Sequence, residues 1–116
     1  MNIDTLKKAE EFKEGHLNLV QHFLKKGCTF TVEDKYNEDN KFITRSSNYA
    51  DIKKVMSDDE TILTIYDKDK GMISRVWVIP FNGGIDNIAD YLVSDEVDEW
   101  SDQFEKTMEE LDANRK

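Results

Sequence analysis

Two neighbouring segments, Thr61-Ile62-Leu63-Thr64-Ile65-Tyr66 and residues 72–79, read as the strands of one hairpin, and each is apolar on both faces. Leu63 and Ile65 project to one side and Ile62 and Tyr66 to the other, while Ile73, Trp77 and Ile79 oppose Val76 and Val78. Strands of this kind need cover on both sides, which places the hairpin in the middle of a sheet. Asp67-Lys68-Asp69-Lys70-Gly71 makes the turn between them, and Pro80, with no amide hydrogen for a ladder, ends the second strand.

The rest of the chain is read around that hairpin. Phe12, His16, Leu19, Val20 and Phe23 recur at helical spacing and predict a first helix over residues 4–26, with Gly15 a point where it can kink or break. Lys25-Lys26-Gly27 ends it: cations meet the negative end of the dipole, and glycine then turns left-handed. Cys28, Phe30 and Val32 alternate with polar residues as a half-buried strand does. Residues 34–40 are expected to turn and 41–45 to return as a short partner strand. Ser46 or Ser47 is expected to cap a short helix through Tyr49, Ile52, Val55 and Met56. A further short helix over 86–93 and a long one from Asp95 to about Ala113 complete the order α-β-β-α-β-β-α-α.

The expectation is therefore one α+β domain over residues 1–116. It has about four mostly antiparallel strands in two hairpins, packed against helices, with a long acidic C-terminal helix. If helices cover only one sheet face, the second apolar face, marked by Tyr66 and Trp77, needs a homodimer partner or a small-molecule ligand.

The chain has 116 residues and a formal charge of −9, and the charge is unevenly placed. Residues 1–85 hold 14 acids against 13 bases, whereas residues 86–112 hold 11 acids against one base, Lys106. This imbalance argues against direct binding of nucleic acid or of an anionic membrane. No apolar run has the length of a membrane span, and the N-terminal residues lack a signal-like apolar core. A single cysteine, Cys28, excludes an internal disulfide, and the expected setting is the cytoplasm.

On the last helix, Val97, Trp100, Phe104, Met108 and Leu111 form a core-facing stripe. Asp95, Asp98, Asp102, Glu105, Glu109 and Asp112 form a second stripe opposite it, with Glu99 beside them. At 1.5 Å per residue this ladder is about 25 Å long, with one charge every ~4–5 Å, against ~3.4 Å for a nucleic-acid strand. Five like-charge neighbours at three- and four-residue spacing cost roughly 1–2.5 kcal/mol in all, and the helix N-terminus offsets only part of that. A solvated face is one account of the stripe. A docking surface for a basic protein surface that ordinarily holds nucleic acid is the other, and the near-neutral remainder of the chain adds weight to it.

No catalytic, cofactor or metal signature is present. His16 and His22 lie about 240° apart on a helix, so they cannot form a metal pair. Cys28 follows a helix C-terminus, the wrong end of the dipole for an activated thiol. Asp67-x-Asp69-x-Gly71 lacks the remaining ligands of a calcium loop and carries Lys68 and Lys70 among its acids. Asn82-Gly83-Gly84 has no lysine for a phosphate cradle. Asp58, Asp59 and Glu60 read as a solvated loop, and a minor enzyme site built from Asp58, Asp59 and Asp67 is the least favoured expectation.

The leading expectation is a non-enzymatic inhibitor, of phage or mobile-element type, whose acidic helix mimics nucleic acid on a host protein. A toxin immunity or antitoxin protein is the second. A dimeric structural or small-molecule-binding domain using the Tyr66/Trp77 face is the third.

Overall fold

A computed structural model describes residues 14–56, 59–82, 87–92 and 95–113, with the side chains of all of these except Glu38, Tyr91, Leu111, Asp112 and Ala113. The elements are α1 (Gly15–Lys25), β1 (Thr29–Asp34), β2 (Asn37–Ser46), α2 (Tyr49–Val55), β3 (Thr61–Asp67), β4 (Gly71–Val78), β5 (Ile88–Tyr91) and α3 (Asp95–Ala113). Five antiparallel strands form one sheet in the order β2-β1-β3-β4-β5, so the two-faced hairpin occupies its interior. The fold is α+β, as the sequence implies.

Register places the core. Val32 opposes Leu63, which opposes Val76, and Phe30 opposes Ile65. These residues and Val78 are fully buried on one face, where Leu19, Val20 and Phe23 of α1, Ile52 and Met56 of the α2 segment, and Val97, Trp100 and Phe104 of α3 meet them. Burying each such side chain contributes about 1.5–3 kcal/mol. All three described helices therefore lie on the same side of the sheet.

The end of α1 follows the sequence reading. Gly27 sits at φ +84°, its N–H donates to the Leu24 carbonyl at 3.0 Å, and the Cys28 N–H donates to the Phe23 carbonyl at 3.1 Å. This is the paired-bond glycine stop expected there. The β3–β4 turn also forms as read: Asp67 Oδ1 accepts from the N–H groups of Asp69 and Lys70, and Gly71 takes φ +75°.

Four expectations are corrected. First, α1 begins at Gly15, because Glu14 is extended (φ −83°, ψ 118°); a helix continuous over 4–26 is not formed, and residues 1–13 lie outside the described part. The Gly15 N–H is instead bonded by the Asn87 side chain at 2.9 Å, which supplies a cap from 72 residues away. Second, β2 starts at Asn37, so the turn is shorter than 34–40 and most of that polar stretch is strand. An outer strand needs backbone pairing on one side only, and its exposed side chains can be polar. Third, Asn48, not Ser46 or Ser47, caps α2, its side chain accepting from the Asp51 N–H at 3.1 Å.

Fourth, residues 88–91 are a fifth strand, not part of a helix over 86–93; residues 83–86 and 93–94 lie outside the described part. β4 would otherwise expose a row of unpaired backbone groups, and β5 takes them up through Val76↔Tyr91, Trp77↔Asp90 and Val78↔Ile88.

Candidate functional site: the acidic helix and the opposite sheet face

α3 has 19 residues and projects three core side chains, Val97, Trp100 and Phe104, into the interior, with Met108 packed against them. Trp100 stacks on Phe104 with ring centroids 5.4 Å apart, and its Nε1 donates to Asn18 Oδ1 at 2.8 Å. These contacts fix the rotation of α3 about its own axis.

That rotation decides which acids face water. Asp95, Glu99, Asp102, Glu105 and Glu109 are exposed, and among the described residues no lysine or arginine forms an ion pair with them. Asp98 departs from the expected ladder, being half-buried and engaged in an interaction of its own. The side chain of Asp112 lies outside the described part. Lys106 is exposed on the same side. Glu96, on the flank of the helix, meets Lys70 of the β3–β4 turn at 2.9 Å. Their hydrogen bond holds the Glu96 carboxyl below its usual range and the Lys70 ammonium above its own. Both groups are substantially exposed, so the pair orients the helix end more than it stabilises the fold.

The other sheet face carries Tyr66 and Trp77, both half-buried. In register across it run Glu33, Ile62, Trp77 and Asp90, and beside them Thr31, Thr64 and Arg75. No described helix covers this face, and the protein's own cations do so instead. The Arg45 guanidinium lies 4.2 Å from the Tyr66 ring centroid, and the Lys35 ammonium lies 4.8 Å from that of Trp77. Arg75 pairs with the buried Glu33 carboxylate at 2.8 Å.

Arg45 reaches Tyr66 from an irregular strand: the β1–β2 register shifts three times, and Arg45 itself is left-handed at φ 46°. Its N–H donates to Thr31 Oγ1 at 3.0 Å. Bulges of this kind re-aim side chains.

Glu60 closes one corner of this face. Its Oε1 accepts from Trp77 Nε1 at 3.1 Å and its Oε2 accepts from the Tyr36 hydroxyl, a bond that pushes the Tyr36 pKa up. Lys35 also lies 5.9 Å from the Tyr36 ring centroid. On sequence alone Glu60 belongs to a solvated loop, and Glu33, Lys35, Tyr36, Arg45 and Arg75 carry no expected role. No local pattern marks them, because the pairing of β1 with β3 brings them together.

Cys28 is buried and its thiol is pushed up, first by burial and then by the Asp67 charge. His16 is buried, and burial holds its pKa below the ordinary value. Asp59 Oδ1 accepts from the Glu60 N–H, Asp67 is committed to its turn, and Asp58 lies outside the described residues. Among the described residues no three His, Cys, Asp or Glu side chains are grouped to hold a metal, and no helix is long and apolar enough to cross a membrane.

No protein-family model matches the chain, and neither a curated protein nor a solved structure matches it.

Proposed function

We propose that this chain is a small, non-enzymatic protein-binding module that lays the exposed acids of α3 on a basic, nucleic-acid-binding surface of another protein. The observation that carries this reading is the fixed rotation of α3: Val97, Trp100 and Phe104 are locked inward, while Asp95, Glu99, Asp102, Glu105 and Glu109 stand in water without basic partners among the described residues. The helix that carries these carboxylates is already formed, so no backbone ordering is needed on contact with a cationic groove. The setting this suits is the cytoplasm, where a phage or mobile-element inhibitor would occupy the groove of a host enzyme that handles nucleic acid. An immunity protein against a cationic toxin would use the same face.

The test is capture of partners from lysate at ~50 and ~300 mM salt, conditions that differ strongly in charge screening. Three exposed acids are reversed in the variant, Asp102→Lys, Glu105→Lys and Glu109→Lys. A nucleic-acid-binding protein held by the wild type at low salt, and lost both at high salt and by the variant, supports the reading. Equal capture by the variant sinks it.

A further inference from the structure

Trp77, Tyr36 and Glu60 form a corner around a single lysine ammonium. Two aromatic rings converge on one ammonium group, that of Lys35, at 4.8 and 5.9 Å from their centroids. Both distances lie within the ~6 Å over which a ring's negative face attracts a cation. Both rings are also held by their polar edges, since the indole N–H and the phenol hydroxyl each donate to a different oxygen of the Glu60 carboxylate. The carboxylate thereby fixes both rings and places a negative charge in the same corner. Backbone pairing secures the corner further, with the Lys35 N–H donating to the Glu60 carbonyl at 3.3 Å. Tyr36 is 71% exposed, so the corner opens to solvent.

We infer that this corner is a binding site for an alkylammonium group, most favourably a quaternary one, and that Lys35 is its intramolecular occupant, displaced on binding. A primary ammonium keeps strong hydration, which opposes its transfer onto an aromatic face. A methylated ammonium carries the same charge with a weaker hydration shell, and aromatic cages use this difference to select it. Lys35 is tethered next to the site, so it competes at a high effective concentration and restrains binding until it is displaced. The group reaches the site either as a free small molecule or as a methylated lysine of a protein. This site lies on the sheet face turned away from the helices, and its occupation does not depend on α3 docking.

The experiment follows the two indole N–H resonances of the full chain by NMR during titration with tetramethylammonium chloride, against sodium chloride at equal ionic strength. Trp77 reports the corner, and the buried Trp100 reports the integrity of the fold. The expected result is a saturable shift of the Trp77 resonance that sodium does not reproduce, with Trp100 unmoved. Lys35→Ala and Lys35→Gln should both saturate at lower concentration than the wild type. Glu60→Gln should bind more weakly, and Trp77→Leu, followed through Tyr36 ring signals, should lose roughly 5- to 30-fold in affinity, the equivalent of about 1–2 kcal/mol.

A trimethyllysine peptide is titrated beside its unmethylated form. Binding of the methylated peptide more tightly than of the free ion identifies a protein side chain as the ligand, and equal binding identifies the small head group. If Trp77 fails to respond to tetramethylammonium in both Lys35 variants while Trp100 keeps its native position, the corner is only a structural closure of the sheet face and the inference is overturned.

Discussion

The indole nitrogen of Trp100 donates to Asn18 Oδ1 at 2.8 Å inside the core, joining residues 82 apart and setting the angle at which α3 rolls against α1. A ring alone could pack at several angles, but a directional bond from its edge selects one. The acids on the far side of α3 inherit their orientation from it.

Trp100→Phe keeps an aromatic ring and removes the donor. It should destabilise the fold by about 1–3 kcal/mol, through loss of the buried hydrogen bond and of ring volume. Urea unfolding of Trp100→Phe, Asn18→Ala and the double variant should return a coupling energy of about 0.5–3 kcal/mol between the two positions. Additive losses would show that the bond does not set the helix angle.

Asn87 is fully buried and ties two distant parts together. Its Oδ1 accepts from the Gly15 N–H, and its side-chain amide reaches the carbonyls of Ile79, Pro80 and Asn82. Asn87→Ala removes a helix cap and leaves buried groups without partners, for a loss of about 2–4 kcal/mol. Hydrogen exchange should speed most at the first turn of α1 and along β5. Exchange that rises uniformly over the protein would argue against Asn87 as a local clip.

His16 makes stability depend on pH. Burial, the largest cause, lowers its pKa from 6.5, and the charge of Lys53 adds to this; the neighbouring Asn87 side chain and the charge of Glu14 act the other way. Its Nδ1 has no hydrogen-bond partner. The unfolded chain takes up the proton near pH 6.5 and the folded chain only at lower pH, so the unfolded state binds more protons across that window. Stability should therefore fall as pH drops below 6.5 and level off below the folded pKa. His22 is lowered too, chiefly by burial, and contributes with the same sign. His16→Leu should flatten most of the slope in urea titrations over this range, before Asp67 and Glu96 begin to protonate with ordinary values of 3.8 and 4.5. An unchanged slope would assign the effect to His22.

Several features of the sheet disfavour self-association. β2 is interrupted by three register shifts, β5 is four residues long, and the outer face is closed by Arg45, Lys35 and the Arg75–Glu33 pair. Sedimentation equilibrium should return the 13.6 kDa monomer. A dimer that persists at micromolar concentration would restore the reading in which the Tyr66/Trp77 face needs a second copy.

What the sequence revealed was local. The Lys26-Gly27 stop, the apolar stripe through Val97, Trp100 and Phe104, and the central hairpin are each set by neighbours within a few residues and form as read, except that β4 ends at Val78 and a register shift beside Tyr66 lets Ile73 pack against the core. β5 was missed because residues 88–91 become a strand only by pairing with β4, a tertiary effect that overrides a weak local preference. The acid ladder was legible in its outline, but the rotation of α3 comes from packing, and it sets Glu99 outward while half-burying Asp98. The Lys35–Trp77–Glu60 corner was not legible at all. It exists through the register Glu33↔Ile62↔Trp77, which three separate strands define together.

The most direct test of the central claim is competition. A partner captured through α3 is loaded with labelled single-stranded nucleic acid, and the protein is added at ~50 mM salt, where charge contacts are least screened. The account predicts that the wild type displaces the nucleic acid, that displacement weakens steeply as salt rises, and that the Asp102→Lys, Glu105→Lys, Glu109→Lys variant displaces none. Displacement by that variant as effective as by the wild type would contradict it, and would leave the acids of α3 as a solvating surface.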